Sequence, residues 1–189
     1  MATTPLIAGA AARLRGPMVN LRLFIALWPD AATQERLLAA GAGLAALGRR
    51  LPARNLHITV AFLGSVSAAR TVEVERAIRE ARPQACELRL DKLAYFARSR
   101  VLSAVPAAVP AELAGFHQRL NARLAAVGFR VEGRAFHPHI TLLRDAQRPA
   151  EMPVLEPLTL AIREIVLVRC ELAPGGSRYE VIRRVSAPG

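Results

Sequence analysis

The stretch Phe136-His137-Pro138-His139-Ile140-Thr141-Leu142 has an earlier counterpart, Asn55-Leu56-His57-Ile58-Thr59-Val60-Ala61-Phe62-Leu63-Gly64. Both contain His-Ile-Thr followed by an apolar residue, and the two histidines lie 139 − 57 = 82 residues apart. Side chains of an extended strand alternate between its two faces. His57 and Thr59 therefore share one face, and Ile58, Val60 and Phe62 are expected on the other, in a core. His139 and Thr141 likewise share a face, with Ile140 and Leu142 behind them. Each strand offers one imidazole and one hydroxyl to a common space.

That set of groups suits a displacement at phosphorus. Histidine is the side chain whose ordinary pKa places proton transfer near neutral pH. One imidazole can act as base and the other as acid. The two hydroxyls can donate hydrogen bonds to oxygens where charge grows in the transition state. A single His-x-Thr carries little weight. Two complete copies, each in an apolar alternating strand, in a chain with four histidines, carry much more.

The 189 residues fit one domain or two small lobes. With 52% hydrophobic and 22% charged residues, the chain can bury a core and is not disordered by composition. The formal net charge of +11, carried almost wholly by arginine with Lys92 the single lysine, suits a polyanionic partner. Cys86 and Cys170 stand apart in the sequence with no metal-ligand spacing, which fits a reducing cytosol and a cytoplasmic location. No apolar run approaches the ~20 residues that cross a membrane.

Residues 1–20 read as a disordered extension without the basic start of a signal peptide, and Met18 as a candidate start. Residues 21–189 read as one domain. Strands are expected at 21–27, 56–63, 139–144, 161–172 and 179–185, and a hairpin from 86–96 and 99–105. Helices are expected at 31–47, capped by Asp30 and stopped by Gly48, at 67–82 with Val72, Ala77 and Ile78 apolar, and at 110–127. Pro110 opens the last helix, Leu113, Phe116, Leu120 and Leu124 line one face, and Gly128 ends it. Gly64 closes the first motif strand, and Pro174-Gly175-Gly176 turns between the final two. The mixture implies an α+β fold.

These residues resemble the 2H phosphoesterase superfamily, and most of all its RNA 2′,3′-cyclic phosphodiesterases, historically called 2′-5′ RNA ligases. Leu23-Phe24-Ile25-Ala26 resembles the first strand of that family. The two His-x-Thr stretches, with Phe62-Leu63-Gly64 after the first and Leu143-Arg144 after the second, resemble its motifs. Arg98 to Leu102 resembles its central hairpin, and Pro174 to Tyr179 its last turn, so the likeness covers about residues 21–185. Ser103-Ala104 departs from it, because relatives often carry a bulky residue there.

The resemblance implies two pseudo-symmetric lobes, each an antiparallel sheet with outer helices, flanking a central basic cleft. It implies a monomer that hydrolyses RNA or nucleotide 2′,3′-cyclic phosphates to 2′-phosphomonoesters without cofactor or metal. His57 and His139 would be catalytic, with His139 assigned as base and His57 as acid. Thr59 and Thr141 would hold phosphate oxygens. Arg144 would contact phosphate or base, and Phe24 is a candidate for stacking on a base, against the alternative of a core position. Arg178 and Tyr179 lie near the last turn.

Other readings stay open. His137, His139 and His57 could form a three-histidine metal site, against a supporting or surface role for His137. His117, beside Phe116, is read as structural. A non-hydrolytic RNA-binding module would use the same basic cleft but leave both imidazoles without a purpose. Ligation in the reverse direction, or another cyclic phosphoester, would use the same groups.

Overall fold

The computed structural model describes residues 20–174 and 176–188. The extension expected over 1–20 lies, apart from Asn20, outside the described residues, as does Gly175 of the last turn.

Ten strands and three α-helices follow one another as β1 (Asn20–Leu27), α1 (Ala31–Ala42), β2 (Arg49–Arg50), β3 (Ile58–Ser67), α2 (Thr71–Glu80), β4 (Cys86–Leu90), β5 (Lys92–Phe96), β6 (Val101–Val105), α3 (Ala111–Ala126), β7 (Ile140–Arg144), β8 (Leu158–Ile162), β9 (Glu164–Ala173) and β10 (Gly176–Ser186). The main sheet runs β10-β9-β1-β3-β7-β6-β5, with β2 also on β7 and every pairing antiparallel. It divides into two lobes. One is β10-β9-β1-β3 and carries the first motif; the other is β7-β6-β5 and carries the second. Among the described residues the lobes join through one pair, Ile58 opposite Ile140. Strands β4 and β8 form a separate two-stranded sheet.

The lobes mirror each other in how chain is spent. β4 passes into β5 at Asp91, and β8 passes into β9 at Arg163. Each time the chain leaves the small sheet and enters the main one beside β6 or β1, the neighbours of the motif strands. This corrects two expectations. The strand expected at 86–96 is two strands, and only its second half pairs in the hairpin with β6. The strand expected at 161–172 begins earlier, at Leu158, and is also two. The apolar alternation slips phase at both places. Leu88 and Leu90 are followed by Leu93, and Leu160 and Ile162 by Ile165, all of them buried.

One face of the main sheet is covered and the other is left for the cleft. Leu23, Ile25, Leu27, Ile58, Ile140 and Leu167 join Leu37 of α1, Val74 and Ile78 of α2 and the whole predicted face of α3 in one core. The opposite face of the first lobe holds Phe24, Ala26, Val166 and Val168, with Trp28, Tyr179 and Val181 against them. Strand β1 is thus buried on both sides, which is why it reads as an unbroken apolar run. Helices α2 and α3 pack together, while α1 lies on β7 and β8. Val72, counted with the apolar face from its spacing, is 60% exposed, and Val74 takes the buried place.

The Asp30 carboxylate accepts from the Thr33 backbone N–H at 2.7 Å and caps α1 as expected. The helix ends sooner than expected, at Ala42, and a short 3₁₀ turn follows over Ala45–Leu47. The cap of α1 is Gly43, and Gly48 therefore ends this 3₁₀ turn and not the helix. A Cβ there would meet the Arg144 carbonyl oxygen and the Ala146 Cα at 2.9 Å, so glycine permits β2 to close against β7.

Gly64 does not close its strand either. It sits inside β3 with φ +69°, opposite Leu23, while the next pair is Phe62 opposite Phe24. Leu63 is the extra residue of a bulge, and glycine supplies its left-handed conformation. Replacing Gly64 with alanine is expected to cost about 1–2 kcal/mol of folding stability, read from the shift in a urea unfolding curve. An unshifted midpoint would mean that the bulge relaxes without strain.

Candidate active site

The pair joining the two lobes consists of the central residues of the two motifs. Ile58 stands between His57 and Thr59, and Ile140 between His139 and Thr141. Both isoleucines are fully buried in the main core. Their neighbours therefore project to the other face. Stepping one residue either way along antiparallel strands sets His57 across from Thr141 and Thr59 across from His139. Residues so placed have Cβ atoms about 4.5–5.5 Å apart in a regular ladder. Two imidazoles and two hydroxyls thus surround one point on the cleft face.

Both rings are aimed by the same device. His57 Nδ1 lies 2.8 Å from the Asn55 carbonyl oxygen, and His139 Nδ1 lies 2.9 Å from that of His137. A carbonyl only accepts, so Nδ1 carries the proton in each case. Nε2 is left to face the cleft. His57 Nε2 lies 3.2 Å from Thr59 Oγ1, whose hydroxyl donates to it when the ring is neutral. Ser103 of β6 is opposite Thr141, fully buried, and its hydroxyl donates to Thr141 Oγ1 at 3.5 Å.

The surroundings of the two histidines differ. His57 is boxed by aromatic rings. Trp28 stacks on it nearly parallel, at 10° and 5.5 Å between centroids. Phe24 lies 4.9 Å away, and Tyr179 meets it edge-on at 5.1 Å. His139 has one such neighbour, Phe96 at 5.0 Å. Burial in the box pushes the His57 pKa down to about 4, although the Asn55 carbonyl favours the charged form. The positive charges of His139 and Arg144 push the same way. His57 is therefore neutral at pH 7 in the free protein.

Phe24, the candidate for stacking on a base, is 3% exposed and supports the imidazole instead. The exposed aromatic is Phe62. Expected in the core, it is 60% exposed and lies 6.0 Å from Phe24 on the cleft face. The cause is a second bulge in β3. Ala26 is opposite Thr59 and Ile25 opposite Ala61, so Val60 has no partner and the alternation resets. Strand β7 does the same thing. Leu102 is opposite Leu143 and Ser103 opposite Thr141, which leaves Leu142 as the extra residue. Both bulges directly follow the motif threonine. Each turns the residue five places after the histidine onto the cleft face: Phe62 in one lobe, Arg144 in the other.

Arg144 is exposed and, among the described residues, has no ion pair. Arg49, opposite it on β2, is engaged by Asp145 at 3.0 Å. His137 contributes its carbonyl to His139, and its own side chain is exposed. Among the described residues no three His, Cys, Asp or Glu side chains come together as a metal-binding set, so the three-histidine arrangement does not form. His117 stacks on Phe136 at 4.3 Å and bonds to Asn121, bracing the segment that leads into the second motif. Burial lowers its pKa.

Sequence reasoning missed Trp28, Phe62, Phe96 and Asn55. Asn55 links two parts of the site: its carbonyl aims His57, and its side-chain amide donates to the Ser177 carbonyl at 3.2 Å, at the start of the strand carrying Tyr179. Trp28 was legible in principle. It stands two and four residues beyond Ala26 and Phe24 and so shares their face.

Residues 26–172 match the model of the 2′-5′ RNA ligase superfamily. The chain is 35% identical over 140 residues to the RNA 2′,3′-cyclic phosphodiesterase of Escherichia coli, covering 72% of this chain and 78% of the relative. It is 28% identical over 145 residues to the Aeropyrum pernix protein of the same name, covering 70% and 82%. The crystal structure of E. coli LigT complexed with 3′-AMP superposes with a TM-score of 0.81 at 32% identity, over 89% of this chain and 99% of that one. The duplicated motif, the two-lobed sheet and these matches agree: the chain belongs to the 2′-5′ RNA ligase superfamily.

Proposed function

We propose that this protein is an RNA 2′,3′-cyclic phosphodiesterase that opens cyclic phosphate ends of RNA or nucleotides to 2′-phosphomonoesters. The observation that carries the reading is the Ile58–Ile140 pair, which gathers both imidazoles and both threonine hydroxyls around one point. The curated relatives bear the name of this activity.

In the proposed reaction a water oxygen attacks phosphorus, the P–O3′ bond breaks, and the O2′ ester remains. One histidine accepts the water proton and the other delivers a proton to O3′. Thr59 and Thr141 hold the non-bridging oxygens as charge builds. Phe62 and Arg144, at corresponding places on the two rims, present an aromatic face and a guanidinium plane to a base. No step calls for a metal ion. With a 5′-hydroxyl in place of water as the nucleophile, the same displacement forms a 2′-5′ linkage, the ligation for which the superfamily is named.

The low pKa of His57 sets a condition on the roles. With His139 as base, His57 must deliver a proton that it lacks in the free protein at pH 7. The anionic phosphate supplies the remedy, because a negative charge beside the ring favours the imidazolium. His57 takes up its proton as the substrate enters.

The direct assay is a 2′,3′-cyclic mononucleotide in EDTA, with the product identified by phosphorus NMR. A 2′-phosphate is expected from wild type, and a loss of about a hundredfold or more in His57→Ala and in His139→Ala. Near wild-type rates in either variant would remove the acid–base pair, and activity that needs added metal would remove metal independence. Thr59→Ala and Thr141→Ala are expected to cost about 2–4 kcal/mol each in kcat/KM; unchanged kinetics would make the hydroxyls structural. An NMR titration should place the free His57 pKa near 4 and raise it by about one unit or more with a 2′-nucleotide bound. A pKa unmoved by the nucleotide would exchange the roles, leaving His57 as base.

A further inference from the structure

Trp28 has two sides. One face of its ring stacks on His57. Trp28 also lines a cavity of about 340 Å³ between the end of β1 and the β8–β9 passage, with Asp30, Leu160, Arg163, Glu164 and Arg184 among its walls. Trp28 is therefore shared between the rings around His57 and the wall of the cavity. It also lies on the far side of His57 from Phe62. Along the cleft face Phe24 is opposite Phe62 and Ala26 opposite Thr59, and Trp28 follows next to His57.

The charges around this cavity are mostly engaged. Asp30 caps α1 through the Thr33 N–H. Glu164 is paired with Arg184. Arg163, at the point where the chain crosses between sheets, is exposed and has no ion pair among the described residues. Its backbone carbonyl is fixed by the Ala187 N–H at 2.7 Å. The cavity thus offers an indole and one uncommitted guanidinium. Stacking surface plus a cation is the chemistry that receives a nucleotide, and the volume is that of a small-ligand site.

We propose that this cavity is a second nucleotide subsite, holding the nucleotide that precedes the cyclic phosphate terminus, with Trp28 contacting its base and Arg163 its phosphate. The proposal rests on the phosphodiesterase reading and narrows it. The substrate is then an RNA end of at least two nucleotides rather than a free cyclic mononucleotide.

The test compares wild type and Arg163→Glu on a 2′,3′-cyclic mononucleotide and on a dinucleotide ending in the same cyclic phosphate. Wild type is expected to favour the dinucleotide by about tenfold in kcat/KM, the scale of one base stack. Arg163→Glu should abolish that preference and leave mononucleotide turnover unchanged. Equal wild-type rates on both substrates, or a variant that loses both alike, overturns the subsite.

Trp28 is the single tryptophan of the chain, so its fluorescence reports binding without turnover. A dinucleotide lacking the cyclic phosphate should quench it more tightly than a mononucleotide does, and Arg163→Glu should erase the difference. If neither cyclic substrate reacts, the activity reading fails while this titration still judges the cavity. If a free 5′-hydroxyl nucleoside quenches Trp28 as well as the dinucleotide does, the cavity serves an acceptor strand and the proposal is overturned.

Discussion

The contact between Ile58 and Ile140 is the constraint on which the site depends. It is apolar, buried and remote from any chemistry in itself. Yet it fixes the register in which two distant segments meet, and register decides which residues share a face. A slip of one residue would turn an imidazole into the core and an isoleucine into the cleft. The energy holding the register comes from the core side, where both side chains sit with Leu23, Ile25 and Leu27 under three helices. The polar side contributes little to stability and gains its geometry from the apolar one.

The same two strands show how a symmetric scaffold yields unlike partners. Both motifs aim Nδ1 at the carbonyl two residues back, and both bulge immediately after the threonine. The difference comes from what lies alongside. Strand β1 and its continuation bring Phe24 and Trp28 to His57, and β10 brings Tyr179. β5 brings Phe96 to His139. Desolvation by that aromatic box keeps His57 uncharged. Pairs of titratable groups in contrasting environments are what acid–base division of labour requires.

Much of this was legible in the sequence because alternation is a local property. The strand faces of the motifs, the burial of Leu113, Phe116, Leu120 and Leu124 and the Asp30 cap all follow from neighbours within a few residues. Even the misjudged strands left a trace: the apolar period breaks between Leu90 and Leu93 and between Ile162 and Ile165, where the chain changes sheets. Phe62 was not legible. Its face depends on a bulge at Val60 that is visible only in the pairing with β1. Nor was the isoleucine pair, since no local pattern says which apolar residue of one strand meets which of another. The aromatic box is likewise a product of tertiary proximity, drawn from β1, its continuation and β10.

Among the described residues the two lobes share one ladder pair, Ile58 with Ile140, and beneath it one continuous core. The imidazoles and hydroxyls stand one residue from that pair, whereas Phe62 and Arg144 stand four away along their strands. The groups around phosphorus therefore take their spacing from the best-packed point of the molecule. The rim residues lie farther out and are exposed. There the two lobes can differ, one offering an aromatic ring and the other a cation, without disturbing the atoms that react.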